Sequence, residues 1–301
     1  MTGVLPARLN RAALIYAHDN AGQPLGLSQT TLQIDSSAWT AIIGPNGSGK
    51  STLARLIAGL ARPSSGTIER FGGDPRPAKR TAVATQSVVL DPLLTVGENL
   101  ALTASMAGRR SPEQDAEREA EAFGLSDRIS TRVSKLSGGL AQRAHVARAF
   151  VAQRELIVLD EPDAGADADA RALIERRCKD AARDGAAVVT VTHDTDLAAS
   201  ASRLLAVTSA RIVMDAPPSE IMAKMGPLVA KVDRLTHATL DTPEELTRIV
   251  DHSGVLLTSQ DPKAVERAAA DLAQSGHTVS LGPPTLSDAA RRLAKDALDE
   301  S

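Results

Sequence analysis

Residues 44–51 read GPNGSGKS, and this short segment restricts the chain more tightly than any other. Glycine, four residues, glycine, lysine and serine form the pattern that wraps a backbone around a phosphate chain. The apolar run AWTAII at 38–43 stops at Gly44, and Leu53, Leu56, Ile57 and Leu60 follow at helical spacing. The spacing predicts a buried strand, a glycine-rich turn and a helix that stops near residues 59–63, where glycine and proline end it. Gly44, Gly47 and Gly49 let the backbone of Gly44, Pro45, Asn46, Gly47, Ser48, Gly49, Lys50, Ser51 and Thr52 curl around an anion. Successive N–H groups then converge at a helix N-terminus, whose dipole favours negative charge. Lys50 would reach the β- and γ-phosphates, and the Ser51 hydroxyl can ligate Mg²⁺.

A second segment, LIVLDEP at 156–162, puts two adjacent carboxylates at the exit of an apolar run. Asp160 is suited to holding Mg²⁺ through its water shell, and Glu161 to polarising an attacking water. A third, LSGGLAQR at 136–143, continues as AHVARAF, so a helix is expected to begin at the small residues. Ser137, Gly138 and Gly139 at that N-terminus form another anion-binding surface. A chain with one phosphate loop has no second triphosphate to offer it, so a second subunit is expected to bring one. The apolar runs at 156–159 and 187–191 read as central strands covered by helices on both faces, with a helix at 169–179 between them.

Together these segments resemble the nucleotide-binding subunit of ATP-binding-cassette (ABC) proteins over roughly residues 8–216. The resemblance implies an α/β P-loop NTPase core with a mostly parallel sheet, an antiparallel β subdomain and a helical subdomain. In that family LSGG of one subunit closes over the ATP held by the phosphate loop of the other. Gln86, in ATQSVVLDPLLTVGENL, looks like the glutamine loop, which touches Mg²⁺ and the membrane partner. His193, in VTVTHD, resembles the switch histidine that senses the γ-phosphate, and Asp167, in DAGAD, the loop aspartate that crosses the dimer interface. The catalytic set implied is therefore Glu161, His193, Lys50 and Gln86, with Ser51, Gln86 and Asp160 around the metal. Leu140 stands where the signature commonly has glutamine, and Ala166 where leucine is usual. Either Tyr16 or His18 is placed to stack on adenine.

At 301 residues the chain has room for such a core and one more module. The stretch from about 92 to 151 is rich in alanine, arginine and glutamate and reads as a mostly helical insertion. After Pro217-Pro218 the composition shifts, so the expected domains are 1–216 and 217–301. The second reads as a small α+β appendix: a strand GVLLTS at 254–259, a helix at 263–276, a short TVSL and an amphipathic run from Ser287. It resembles the carboxy-terminal extension of drug- and glycan-exporter ATPase subunits.

A net charge of −3 gives no general pull toward nucleic acid, and no aromatic residue follows Phe150, so base stacking by the appendix is not expected. The single cysteine, Cys178, forbids an intramolecular disulfide and fits a reducing, cytosolic compartment. The first residues lack the apolar core of a signal peptide, and no run of about 18 apolar residues occurs. The expectation is an ATP- and Mg²⁺-dependent ATPase subunit on the cytoplasmic side of the membrane. It would pair with itself or a related subunit and be held by an integral-membrane permease, more in the manner of an exporter. An importer subunit and a soluble ABC ATPase are the alternatives.

Overall fold

The computed structural model describes residues 4–18, 22, 24–232, 245–251, 254–286, 288, 289 and 292. The chain divides into two compact units, Met1–Asp215 and Ala216–Ser301. The first unit runs β1 (Ala7–His18), β2 (Pro24–Ile34), β3 (Ala38–Ile43), α1 (Lys50–Ala58), β4 (Ser65–Glu69) and β5 (Thr81–Ala84). Three helices follow, α2 (Val96–Met106), α3 (Pro112–Ala122) and α4 (Gly138–Val151). It closes with β6 (Leu156–Asp160), α5 (Ala168–Arg183), β7 (Ala187–Val191), α6 (Thr195–Ala199), β8 (Arg203–Thr208) and β9 (Arg211–Ala216).

Six strands form one sheet in the order β5-β6-β7-β3-β8-β9, and β5, β6, β7, β3 and β8 are parallel. Every residue of β6 and β7 is buried, as expected of strands covered on both faces. The Trp39 indole N–H donates to Thr190 Oγ1 at 3.0 Å, which pairs the buried polar groups of β3 and β7. A second sheet, β2-β1-β4, is antiparallel. α1 is packed between the two: Leu53, Leu56 and Ile57 are fully buried in one cluster with Leu9, Leu27 and Ile34 on one side and Leu156 and Val189 on the other. α1 begins at Lys50, directly after the left-handed Gly49, and ends at left-handed Gly59, the glycine read as its stop.

Residues 92–151 are mostly helical, with α2, α3 and α4 separated by turns and short 3-10 segments. Thr95 and Glu98 form a reciprocal capping box at the start of α2. α3 is tied to α5 by a bidentate pair, Glu119 with Arg177, whose guanidinium also lies 4.9 Å from the Phe150 ring centroid. The helix read at 169–179 extends to Arg183, because no breaker occurs before left-handed Gly185.

The second unit contains α7 (Pro218–Ala223), β10 (Leu228–Val232), β11 (Thr247–Asp251), β12 (Gly254–Ser259), α8 (Pro262–Gln274) and β13 (Val279–Gly282). Its antiparallel sheet has the order β11-β12-β10-β13. Val255 and Leu257 of β12 pack with Val265, Ala269 and Leu272 of α8. Of the amphipathic run from Ser287, residues 288, 289 and 292 are helical and the others lie outside the described residues. The Asp288 carboxylate accepts from the Thr285 N–H and hydroxyl and pairs with Lys231 at 2.9 Å.

Candidate nucleotide site

The loop between β3 and α1 is shaped by glycine where no other residue fits. A Cβ on Gly44 would lie 2.0 Å from the Val207 carbonyl oxygen, and one on Gly49 would lie 2.1 Å from that of Gly26. Both glycines, and Gly47, have positive φ. Lys50 is buried, and its ammonium donates to the Gly44 and Pro45 carbonyls at 2.8 and 2.7 Å. Burial lowers its pKa, while the carboxylates of Glu161 and Asp160 oppose that shift. A cavity of about 240 Å³ opens at the loop, lined by Asn46–Thr52, Glu161, Leu25, Gly26 and Tyr16.

Tyr16 therefore flanks the cavity, whereas His18, exposed at the end of β1, is not among the lining residues. A triphosphate fits these residues. Ser48 Oγ is buried without a hydrogen-bond partner, and Lys50 supplies a cation at the mouth of a helix N-terminus.

The Ser51 hydroxyl donates to Asp160 Oδ1 at 3.1 Å, so the first turn of α1 and the end of β6 offer two hard oxygen donors side by side. Burial raises the Asp160 pKa, and the Ser51 hydroxyl counteracts it. Among the described residues no cluster of three or more His, Cys, Asp or Glu is placed to hold a metal. The donor set thus suits Mg²⁺ in company with phosphate oxygens, which is how that ion is usually held.

Glu161 follows β6 with φ of 53°, a left-handed conformation uncommon for a residue with a side chain. Its N–H donates to the Val191 carbonyl at 2.9 Å, which fixes the residue to the end of β7. Gln86 Nε2 donates to one carboxylate oxygen at 2.9 Å, and His193 Nε2 lies 3.4 Å from the other. Three residues far apart in sequence thus meet. Asp167 caps α5 through the Ala170 N–H at 2.7 Å and lies 3.7 Å from Arg143. Ser137, Gly138 and Gly139 are exposed at the start of α4, where the serine hydroxyl accepts from the Leu140 N–H. None of the three lines the cavity at the phosphate loop of the same chain.

Sequence motifs did not single out three further contacts. Gln142 Nε2 donates to the Glu161 carbonyl at 3.3 Å. Asp163 accepts from the Thr192 hydroxyl at 2.7 Å, linking the loop after β6 to the loop before His193. His145, wholly buried on α4, bonds to the backbone on both sides of Gln86. Only the helical spacing of Gln142 and His145 beyond Ser137 could have hinted that they share a face.

A strand, a glycine loop cradling an anion site and a strand-end aspartate against the loop serine define a P-loop nucleoside-triphosphatase. The sequence model of the family described as ABC transporter matches residues 27–164. The ABC transporter ATP-binding protein YvrO of Bacillus subtilis, itself uncharacterised, is 34% identical over 69% of this chain and 95% of its own length. The macrolide export ATP-binding/permease protein MacB of Marinobacter nauticus is 35% identical over 61% of this chain, which spans only 30% of that relative's length. The sulfate/thiosulfate import ATP-binding protein CysA 2 of Chromobacterium violaceum is 37% identical over 65% of this chain and 55% of its own length. A solved ATP-binding subunit of an ABC transporter superposes with a TM-score of 0.62 at 25% identity, covering 72% of this chain and 92% of that one. The chain belongs to the ABC transporter family and is one of its ATP-binding ATPase cassettes.

Proposed function

We propose that this chain binds ATP with Mg²⁺ and hydrolyses it as one half of a closed pair of cassettes, driving an integral-membrane permease. The observation that carries the reading is the placement of Glu161 between Gln86 and His193, beside a phosphate loop whose own chain leaves Ser137–Gly139 exposed. Lys50 and the loop N–H groups hold the phosphates, and Tyr16 stacks on the base. Glu161 takes the proton of the attacking water, while His193 and Gln86 orient the carboxylate. Ser51, Asp160 and Gln86 would hold Mg²⁺, which supplies neutralisation of phosphate charge. Ser137, Gly138 and Gly139 serve the nucleotide of the partner cassette, and Asp167 faces that same interface.

Residues 1–216 act as the nucleotide-binding domain and 217–301 as an accessory domain. Among the described residues no helix is long and apolar enough to cross a membrane. Val88 and Val89 beside Gln86, Leu93, and Leu102 and Met106 one turn apart on α2 are exposed apolar side chains, a surface suited to a permease. In this reading the cassette is held by the permease at the cytoplasmic face of the membrane. Export is the direction favoured by the likeness to a macrolide exporter and by the tail, and the likeness to a sulfate/thiosulfate importer supports the opposite reading. Identifying the permease that co-purifies from membranes separates the two.

Glu161→Gln tests the mechanism. It removes the base but keeps the shape, so hydrolysis falls about 10²- to 10⁴-fold. ATP remains bound, and the protein elutes as a dimer in size-exclusion runs with ATP. A variant that stays monomeric and ATP-free would contradict the closed pair.

A further inference from the structure

His145 is 0% exposed and lies on α4, eight residues after Ser137, or about 12 Å along the helix. Both of its ring nitrogens are used. Nε2 lies 3.1 Å from the Thr85 carbonyl oxygen, and the Val89 N–H donates to Nδ1 at 3.3 Å. The imidazole therefore spans residues 85–89 and closes them into a loop with Gln86 inside. Only one protonation state does this. The Thr85 carbonyl can only accept, so Nε2 carries the proton, and Nδ1 must keep its lone pair for Val89. Burial and the nearby Arg148 charge keep the ring neutral at physiological pH. On the same helix, Gln142 holds the Glu161 carbonyl. One helix thus presents the serine-glycine turn at its N-terminus and grips both the catalytic glutamate and the glutamine loop from its buried side.

Resting on the ATPase reading above, we propose that His145 is a positioning residue: it fixes the Gln86 loop to α4, so that Gln86 stays within reach of Glu161. A displacement of α4 is then passed to the loop. An apolar residue at 145 leaves the Thr85 carbonyl and the Val89 N–H without their partner on α4, and in this partly exposed segment both groups turn to water instead, so nothing ties the loop to the helix. Gln86 then loses its 2.9 Å bond to Glu161. The phosphate loop, which carries ground-state binding, is untouched.

The test compares wild-type protein with His145→Leu, which keeps an apolar side chain in the site, and His145→Asn, whose amide oxygen restores an acceptor near Nδ1. Amide hydrogen exchange is read over residues 85–91, and ATP hydrolysis is measured at saturating and limiting nucleotide. His145→Leu is expected to exchange faster over 85–91 but not over β6 and β7. Its kcat falls on the order of 10- to 100-fold with KM within about twofold, and His145→Asn recovers part of both effects. Unchanged exchange over 85–91, or a loss in KM rather than kcat, overturns the proposal. If His145→Leu fails to fold, the Asn variant carries the same comparison, with intermediate exchange expected and wild-type exchange and kcat counting against. The exchange arm needs no turnover, so a wild type that hydrolyses nothing would sink the ATPase reading while the clip is judged separately.

Discussion

Single side chains in this cassette are held by environments that fix their protonation or conformation. His145 is the clearest case, because burial pushes its pKa down from 6.5 to about 4, with Arg148 adding to the effect. Its folded value lies below its unfolded one, so its contribution to stability is complete above about pH 6.5. Between there and pH 4 the unfolded chain takes up a proton that the native ring refuses, and stability drops by about 3 kcal/mol in all. Urea midpoints from pH 7.5 to 4.5 should show this fall in wild type and a shallower one in His145→Leu; parallel curves would contradict it. Glu161 stores a different strain, a left-handed backbone at a residue with a full side chain. Such conformations cost roughly 1–3 kcal/mol and persist where the surroundings insist on them, here through the bond to Val191.

Elements carry two duties at their ends. Ser137 caps α4 and is also the residue read as facing a partner's phosphate. Aspartate is as good a cap as serine but brings a negative charge. Ser137→Asp should therefore keep stability within about 0.5 kcal/mol while abolishing ATP-dependent dimerisation, whereas Ser137→Ala should lose about 1 kcal/mol. Denaturation and size-exclusion measurements on both separate the cap from the contact. The elements that form this site were largely legible. β3, β6 and β7 are short apolar runs ended by glycine or a polar residue, and α1 shows its phase in Leu53, Leu56 and Ile57. β1 resisted such reading. Its pairing with β2 shifts register between Leu9 and Ala12, Ala12 and Leu14, and Ile15 and Ala17. Alternation along a strand assigns Tyr16 and His18 to one face, and the irregularity between Ile15 and Ala17, at Tyr16 itself, breaks that rule.

At the scale of the molecule, the proposed site is half of a pair. The phosphate loop, Glu161 and His193 gather in one place, while the serine-glycine turn of the same chain is exposed elsewhere. A dimer of identical chains makes a sharp prediction. Lys50→Ala removes the phosphate grip and Ser137→Asp spoils the donated turn, so each alone is inactive. Mixed, they form heterodimers with one intact composite site, and hydrolysis returns. A mixture no more active than its components would rule out such a pair. The unit from Ala216 onward has its own sheet and core, with Val255, Leu257, Val265 and Leu272 packed together.

The sequence by itself determined whatever depends on contiguous residues. The phosphate loop is eight contiguous residues whose glycines mark its left-handed backbone positions outright, although the carbonyls of Val207 and Gly26 that exclude a Cβ at 44 and 49 are brought close only by the fold. The same holds for the carboxylate pair after β6 and for the serine at the head of α4. Tertiary structure alone decided which distant groups meet. Gln86 reaches Glu161 across 75 positions, and His145 reaches Thr85 across 60. Neither contact follows from periodicity, which gives the buried face of a helix but not its rotation against a particular loop. That rotation is set by packing among α2, α3, α4 and the sheet, which carries the wholly buried His145 ring against the Thr85 carbonyl and the Val89 N–H.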